Sequence, residues 1–209
     1  DSSTSAQAMA IVKKYGLRLS ERAQSLLAQE TPKTLSNVET HITGSVRQLC
    51  VSAEETARSL GYTPVVLTDS LRCTARDAGS FLASIAQYNQ ASEKSLAFIA
   101  GGETVVHLTG TGLGGRNQEI ALSAAQEIAG FRDTAVFSFG SDGTDGPTDA
   151  AGGYCDGESC GALAAQGVSI PDVLQQNDAY HALKKCDGLI LTGPTGTNVN
   201  DLSVLLIRR

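Results

Sequence analysis

Three glycine-rich segments constrain the fold of this chain more than any other feature. They are 109–119 (TGTGLGGRNQE), 140–153 (GSDGTDGPTDAAGG) and 192–201 (TGPTGTNVND). Each follows a short run rich in Val, Ile, Leu or Phe, a composition typical of buried β-strands. Ligands of open α/β sheets bind at the carboxyl ends of strands, where such loops lie. The pattern therefore predicts an α/β fold with polar, glycine-rich loops at the ends of its strands.

Strands and helices alternate along most of the chain. The predicted strands are 38–43, 63–69, 96–101, 104–110, 134–140, 188–193 and 203–208, and the predicted helices are 45–60, 74–92, 116–129, 158–166 and 171–184. This alternation favours a three-layer α/β/α sandwich. Only Gly102 and Glu103 separate the strands 96–101 and 104–110, so we expect a hairpin there that makes the sheet mixed.

The first 36 residues have a different pattern and are predicted to be a short helical segment. Apolar periodicity predicts one helix over 4–15, which ends before Gly16, and a second over Ser20–Gln29. The polar stretch 31–37 is predicted to be a linker. The predicted organisation is thus a helical segment and linker from a preceding domain at 1–36, and an α/β domain at 37–209.

Charge and composition exclude several functions. The chain has 16 Lys and Arg against 22 Asp and Glu, a net charge of −6. It lacks the clustered basic face with which proteins bind nucleic acid, and no apolar run is long enough for a membrane-spanning helix. Five cysteines, spread through the sequence, are typical of reduced thiols. We expect a cytoplasmic protein without nucleic-acid or membrane partners.

The first glycine-rich loop suits an anion. Its glycines 110, 112 and 115 match G-x-G-x-x-G, but a dinucleotide site needs an acidic residue near the end of the next strand. Asp133 precedes that strand and Asp142 is rather far, which argues against a dinucleotide site. Backbone N–H groups of a glycine loop at a helix N-terminus attract phosphate or carboxylate groups. A flexible surface loop is the alternative.

Two charged residues follow this loop. Arg116 is predicted in the first helical turn, where a cation opposes the helix dipole, so we expect it to face a carboxylate or phosphate. Glu119 could pair with Arg116 or cap the turn.

The other two loops carry oxygen ligands. Asp142, Asp145 and Asp149 lie in the second loop, and carboxylates with substrate phosphates are the surroundings that Mg²⁺ prefers. A series of tight turns with capping aspartates is the alternative. The third loop offers the hydroxyl and amide groups of Thr195, Thr197 and Asn198 to a hydroxy acid or phosphate.

The three loops in this order resemble the MOFRL domain of glycerate 2-kinases, a family also named hydroxypyruvate reductase. The stretch LQQNDAY at 174–180 resembles another family segment. The resemblance covers about 96–208 for the MOFRL region, and residues 1–95 resemble the part that precedes it. It implies that this chain is the C-terminal portion of the enzyme and lacks an N-terminal domain that bears a functional lysine.

The resemblance implies a kinase that transfers the γ-phosphoryl group of ATP to the 2-hydroxyl of D-glycerate with Mg²⁺. Its cleft would lie between this portion and the N-terminal domain, so we expect the portion alone to be inactive. Predicted catalytic residues are Arg116, Glu119 and Asp145. Predicted substrate or phosphate ligands are Gly112, Gly114, Gly115, Thr144, Thr195, Thr197 and Asn198. Predicted metal ligands are Asp145 and Asp149.

Two other functions stay open on the sequence. One is an NAD(P)H-dependent hydroxypyruvate reductase, as the older family name suggests. The other is a non-catalytic domain that binds phosphate or nucleotide. We also consider a homodimer as the assembly.

Overall fold

The computed structural model describes residues 3–39 and 41–209. Its helices in that part of the chain are α1 (Ser5–Lys14), α2 (Glu21–Leu27), α3 (Val46–Ser59), α4 (Ala75–Tyr88), α5 (Arg116–Glu127), α6 (Ser159–Ala165), α7 (Ile170–Gln175) and α8 (Ala179–Lys185). Its strands are β1 (Thr63–Leu71), β2 (Leu96–Gly102), β3 (Thr134–Gly140), β4 (Gly152–Asp156), β5 (Leu189–Ile190) and β6 (Asp201–Ile207). None of the helices is both long enough and apolar enough to cross a lipid bilayer, within the residues described.

The chain consists of two compact units, Asp1–Ile42 and Thr43–Arg209. The first holds α1 and α2, and side-chain caps explain where these helices begin. The hydroxyl of Thr4 accepts a hydrogen bond from the backbone of Gln7, whose side chain accepts one from the backbone of Thr4. The hydroxyl of Ser20 caps α2. Such caps satisfy N–H groups that the helix itself leaves unpaired, and the two predicted N-terminal helices are confirmed.

A mixed sheet forms the centre of the second unit. Its strand order is β1-β2-β6-β3-β4-β5. β1 and β2 are parallel, whereas every pair from β2–β6 onward is antiparallel. The mixed α/β sheet is thus confirmed, with β6 at its centre.

Helices cover both faces of this sheet, as the predicted three-layer sandwich requires. Side chains alternate between the faces of a strand, so Leu202 and Val204 of β6 join α3 on one face, together with Ile99 of β2. Leu205 of β6 and Val136 of β3 point to the opposite face, where they pack with α4 and α5. The short helices α6, α7 and α8 pack around α5 and β4 in a further apolar cluster.

The hairpin predicted at 96–110 is wrong. Residues 104–110 form no strand and make only an isolated bridge between Val105 and Thr74. The backbone N–H groups of Thr109 and Gly110 donate instead to the side chain of Asn177. The sheet is mixed because β6 returns antiparallel between β2 and β3.

Other predicted elements differ from the structure in detail. β4 was not predicted because its first two residues, Gly152 and Gly153, are rare in strands. Asn177 has a left-handed backbone conformation, with φ 55°, and it divides the helix predicted at 171–184 into α7 and α8. The strand predicted at 38–43 includes Thr40, which lies outside the described residues, and the other residues of that range form no strand.

One row of residues across the sheet positions the loops. Leu71 of β1 pairs with Gly102 of β2, which pairs with Asp201 of β6, which in turn pairs with Gly140 of β3. The first, second and fourth of these residues end their strands, whereas Asp201 begins β6, which runs the other way. All the loops next to this row therefore lie at one end of the sheet, beyond the ends of these strands.

Candidate functional site

The glycine loop 109–115 is held by the segment between α7 and α8. The amide oxygen of Asn177 accepts from the N–H groups of Thr109 and Gly110, at 2.8 and 2.9 Å. Its amide nitrogen donates to the carbonyl of His107 at 3.1 Å and to Glu119 Oε1 at 2.8 Å. Because Asn177 is 4% exposed, it fixes the loop from the interior. Asn177 is the asparagine of the segment LQQNDAY.

More of the loop's donors are used in the same way. The N–H of Gly112 donates to the carbonyl of Gln176, and that of Leu113 donates to Asp178 Oδ1. A Cβ atom on Gly112 would collide with residues 176–178, so glycine allows the two segments to pack. The Gly112 N–H, predicted to bind a ligand, is therefore not free to do so.

The donors that remain are those of Thr111 and of the end of the loop. Within the described residues, no protein group accepts a hydrogen bond from the N–H of Gly114 or Gly115. Gly115 is the N-cap of α5, and the partial positive charge of the helix N-terminus adds to these donors. The predicted anion site thus narrows to Gly114, Gly115 and the first turn of α5.

Asp145 caps α5 from outside the helix. One of its carboxylate oxygens accepts from the N–H of Asn117 at 3.2 Å, and the other accepts from that of Gln118 at 2.9 Å. Burial raises the pKa of Asp145, and these hydrogen bonds and nearby Arg116 oppose the rise. Asp145 is 1% exposed. The structure thus gives Asp145 a capping role at α5, and its contact with metal or substrate stays a prediction.

Arg116 is held between two carboxylates. Asp201 accepts from Nε at 2.5 Å and from Nη2 at 2.9 Å, a bidentate arrangement, and Glu103 Oε1 lies 3.6 Å from Nη2. The hydrogen bonds to Asp201 raise the pKa of Arg116, while burial opposes the rise. No residue of the described ranges hydrogen-bonds Nη1, so this nitrogen can still bind an anion. The prediction that Arg116 faces a carboxylate is confirmed.

Glu119 does not pair with Arg116. It is 2% exposed, and Oε2 accepts from Arg76 Nε at 3.1 Å while Oε1 accepts from Asn177. Arg76 also donates to the carbonyl of Leu174. A residue three positions after Arg116 lies on the buried side of α5 here, so Glu119 links α4, α5 and α7. Neither alternative predicted for Glu119 is found, because its two oxygens bind Arg76 and Asn177 and so neither pair with Arg116 nor cap the first turn of α5.

The third loop folds back on the second. Thr195 Oγ1 donates to the carbonyl of Ser141 at 2.6 Å, and Asn198 Nδ2 donates to Asp142 Oδ2 at 3.3 Å. The backbone N–H of Thr144 donates to Asp142 Oδ1 at 3.0 Å. Asp142 therefore joins predicted residues of both loops. The backbone N–H of Thr197 makes a longer contact of 3.4 Å with Thr195 Oγ1, and Thr195, Thr197 and Asn198 are exposed.

A cavity of about 700 Å³, here called the glycine-loop cavity, opens beside Arg116. Among its lining residues are Glu103, Gly110, Gly112, Gly114, Gly115, Arg116 and Gly146. Its volume lies within the range of small-molecule sites. The cavity combines an arginine with the free N–H groups of Gly114 and Gly115, which together suit a phosphorylated ligand.

The two predicted metal ligands have different surroundings. Asp145 is used by α5, whereas Asp149 is exposed and accepts from the hydroxyl of Tyr180 at 2.8 Å. In residues 3–39 and 41–209, no three His, Cys, Asp or Glu side chains form a group that could hold a metal ion. Mg²⁺ often needs only one or two carboxylates when substrate phosphates supply other ligands. Of the two aspartates, Asp149 has the exposed carboxylate, although it does not line the glycine-loop cavity.

Two acidic residues beside Arg116 have roles that sequence reasoning did not assign: Glu103 was not a predicted site residue, and Asp201 was grouped only with the polar residues of the third loop. Glu103 directly follows β2, and Asp201 begins β6 in the row that crosses the sheet. Their positions next to predicted strands were the available signal. That β6 lies between β2 and β3 depends on tertiary pairing, so the meeting of these residues with Arg116 could not be predicted.

The dinucleotide motif lacks its structural context. In a dinucleotide-binding fold, the glycines follow a strand and open a βαβ unit. Here residues 104–109 precede the glycines without forming a strand, and the loop is bound to residues 176–178. The geometry thus agrees with the sequence argument against such a site.

Comparisons with known proteins give a family model and several similar proteins. The family model described as MOFRL family matches residues 96–201. A D-glycerate 2-kinase of Thermotoga maritima is 50% identical over 211 residues, which is 99% of this chain and 51% of that protein. A putative hydroxypyruvate reductase of Agrobacterium vitis is 37% identical, with 94% of this chain and 54% of that protein covered.

A solved structure agrees in fold as well. The crystal structure of glycerate kinase from Thermotoga maritima superposes with a TM-score of 0.84 at 50% identity, over 99% of this chain and 51% of that one. The chain therefore spans about half the length of the relatives that it matches.

Proposed function

Because this chain belongs to the MOFRL family, we propose that it forms part of a glycerate 2-kinase. The enzyme would transfer the γ-phosphoryl group of ATP to the 2-hydroxyl of D-glycerate, with Mg²⁺, in the cytoplasm. Support comes from the matched glycerate kinases and from the glycine-loop cavity. The relatives are about twice as long, so we propose that an N-terminal domain completes the site and that these residues alone are inactive.

The observation that carries the proposal is the fixed position of Arg116. Phosphoryl transfer needs few covalent steps from the protein and depends on positioning and on neutralising the charge of the transferred group. Asp201 holds Nε and Nη2, which leaves Nη1 for a phosphoryl oxygen. The N–H groups of Gly114 and Gly115 would bind the same phosphates. A preformed arrangement of this kind loses little free energy to reorganisation during the reaction.

Mg²⁺ would neutralise nucleotide phosphate charge when bound. Among the predicted ligands, Asp149 is the one whose carboxylate is exposed, and it would reach the ion directly or through water. Thr195 and Asn198 would act less directly, since their bonds to Ser141 and Asp142 hold the third loop against the second. Asp145 and Glu119 would hold α5 in place through their hydrogen bonds.

The test is steady-state kinetics of the full-length gene product. Formation of ADP would be followed with D-glycerate as acceptor, and ³¹P NMR would identify the phosphorylated position. Changing Arg116 to alanine should lower kcat/KM by about 10³-fold or more, as for other arginines that stabilise phosphoryl transfer. The matched control is Arg132→Ala, an exposed arginine before β3. A loss below tenfold in Arg116→Ala would refute the assigned role.

The same preparation separates the alternatives. Oxidation of NADH with hydroxypyruvate, without ADP formation from glycerate, would establish the reductase named among the relatives. Binding of MgATP with neither activity would establish a non-catalytic domain. Glycerate phosphorylation by the 209 residues alone would contradict the proposed role of a second domain.

A further inference from the structure

A second cavity lies at the same end of the sheet, next to the last residues of β1 and β2. It has a volume of about 570 Å³, and we call it the β1 cavity. Its polar lining residues are Asp69, Ser70, Arg72, Glu103 and Asn200. Glu103 also lines the glycine-loop cavity, so the two cavities meet at this side chain.

The β1 cavity contains both hydrogen-bond donors and hydrogen-bond acceptors. The side chain of Arg72 makes no hydrogen bond or ion pair with any residue that the structure describes, and it is exposed. A guanidinium without a partner can bind a carboxylate through two parallel N–H groups. Asp69 and Glu103 accept hydrogen bonds, and Ser70 can donate or accept. A ligand with one carboxylate and neighbouring hydroxyl groups would satisfy these groups together.

Glu103, which lines both cavities, is held by contacts on two sides. Glu103 Oε1 lies 3.6 Å from Arg116, and Glu103 Oε2 accepts from Asn200 Nδ2 at 3.4 Å. Asn200 has φ 68°, a left-handed conformation that asparagine tolerates better than most residues. Conformations of this type are found preferentially at binding sites. The two cavities thus share a carboxylate whose position is set by contacts from both.

From this arrangement we infer that the β1 cavity binds the acceptor, a small hydroxy acid, with Arg72 on its carboxylate. The inference rests on the proposed function and divides its site in two. The glycine-loop cavity has the backbone donors that suit the phosphates of a nucleotide, whereas the β1 cavity lacks the glycines of that loop and is lined instead by the side chains of Asp69, Ser70 and Arg72. Transfer requires the attacking and leaving oxygens to lie roughly in line, which two adjoining cavities allow.

The experiment compares Arg72→Gln with wild type in the full-length gene product, with Arg132→Gln as the matched control. The KM for D-glycerate should rise about 10- to 100-fold, the range expected for loss of a charged hydrogen bond, while the KM for ATP stays within about twofold. Arg72→Lys should recover part of the loss because it keeps the charge. Equilibrium binding of D-glycerate and of ATP, measured by calorimetry, gives the same comparison without turnover.

The outcomes distinguish the two proposals. A rise in the KM for ATP, or no change in either KM, would overturn the acceptor assignment and leave the kinase proposal intact. If wild type does not phosphorylate glycerate, the kinase proposal fails. The subsite then stands only if calorimetry shows glycerate binding to wild type that Arg72→Gln abolishes and Arg132→Gln retains.

Discussion

At the scale of single residues, Asn177 contributes more contacts to the site than its position in the sequence indicates. One buried amide joins the glycine loop, the carbonyl of His107 and the carboxylate of Glu119. Glu119 in turn binds Arg76. A neutral side chain that both donates and accepts is required here, because the loop presents N–H groups and Glu119 presents oxygens.

Replacing Asn177 with alanine should therefore destabilise the protein by about 3 kcal/mol, since several buried groups lose their partners. The matched control is Asp187→Ala. Asp187 has a similar left-handed backbone, φ 54°, but is exposed, so its loss should be about 1 kcal/mol, the cost of alanine in that conformation. Urea unfolding monitored by circular dichroism gives both free energies. Equal losses would show that Asn177 acts through its backbone alone.

At the scale of elements, the first turn of α5 depends on the absence of a side chain before it. Gly115 lies against the carboxylate of Asp145, and a Cβ atom there would collide with it. The same carboxylate accepts the N–H groups of Asn117 and Gln118. The beginning of the helix, the position of Arg116 and the second glycine-rich loop are therefore coupled through one contact.

Gly115→Ala should displace Asp145 and destabilise the protein by about 2 kcal/mol, as overpacked sites do. Gly161→Ala is the control, because Gly161 lies within α6 with no atom near the added Cβ. That change should stabilise the protein by about 0.5–1 kcal/mol through the better helix propensity of alanine. Thermal unfolding measures both. A stable Gly115→Ala variant would show that Asp145 moves aside without loss.

Elements with clear periodicity were predictable, and those set by distant contacts were not. The apolar residues Ile120, Ala124 and Ile128 mark one side of α5 and pack in the core. β4 begins with two glycines that pack on the backbone of β3 and on Leu183, which no local pattern indicates. Within the site, Arg116 was predictable from its unusual place in the first helical turn. Its partner Asp201 depends on where β6 enters the sheet.

At the scale of the whole molecule, the central position of β6 determines where stability is concentrated. β6 pairs over its full length with β2 and with β3, and its side chains contribute to the cores on both faces. β1 is an outer strand with partly exposed Val65, Val66 and Leu67. Amides open most rarely where both neighbours and both faces are packed.

Hydrogen exchange should reflect this difference in packing between the central and outer strands. The amides of β6 and β3 should exchange slowest, with protection near the global free energy of unfolding, and those of the outer strands β1 and β5 should exchange faster. Mass spectrometry after deuterium labelling, with peptides that separate these strands, is sufficient. Faster exchange in β6 than in β1 would contradict the assignment of β6 as the centre of the stable core.

The position of β6 also has a consequence for synthesis. The central strand is the last of the described strands to be translated, so β2 and β3 cannot be joined until residues 201–207 have left the ribosome. Until then the nascent chain holds two incomplete sheets with exposed edges, a condition that favours aggregation and chaperone binding. Asp201 arrives with the same strand, so Arg116 gains its bidentate partner only when the sheet is closed.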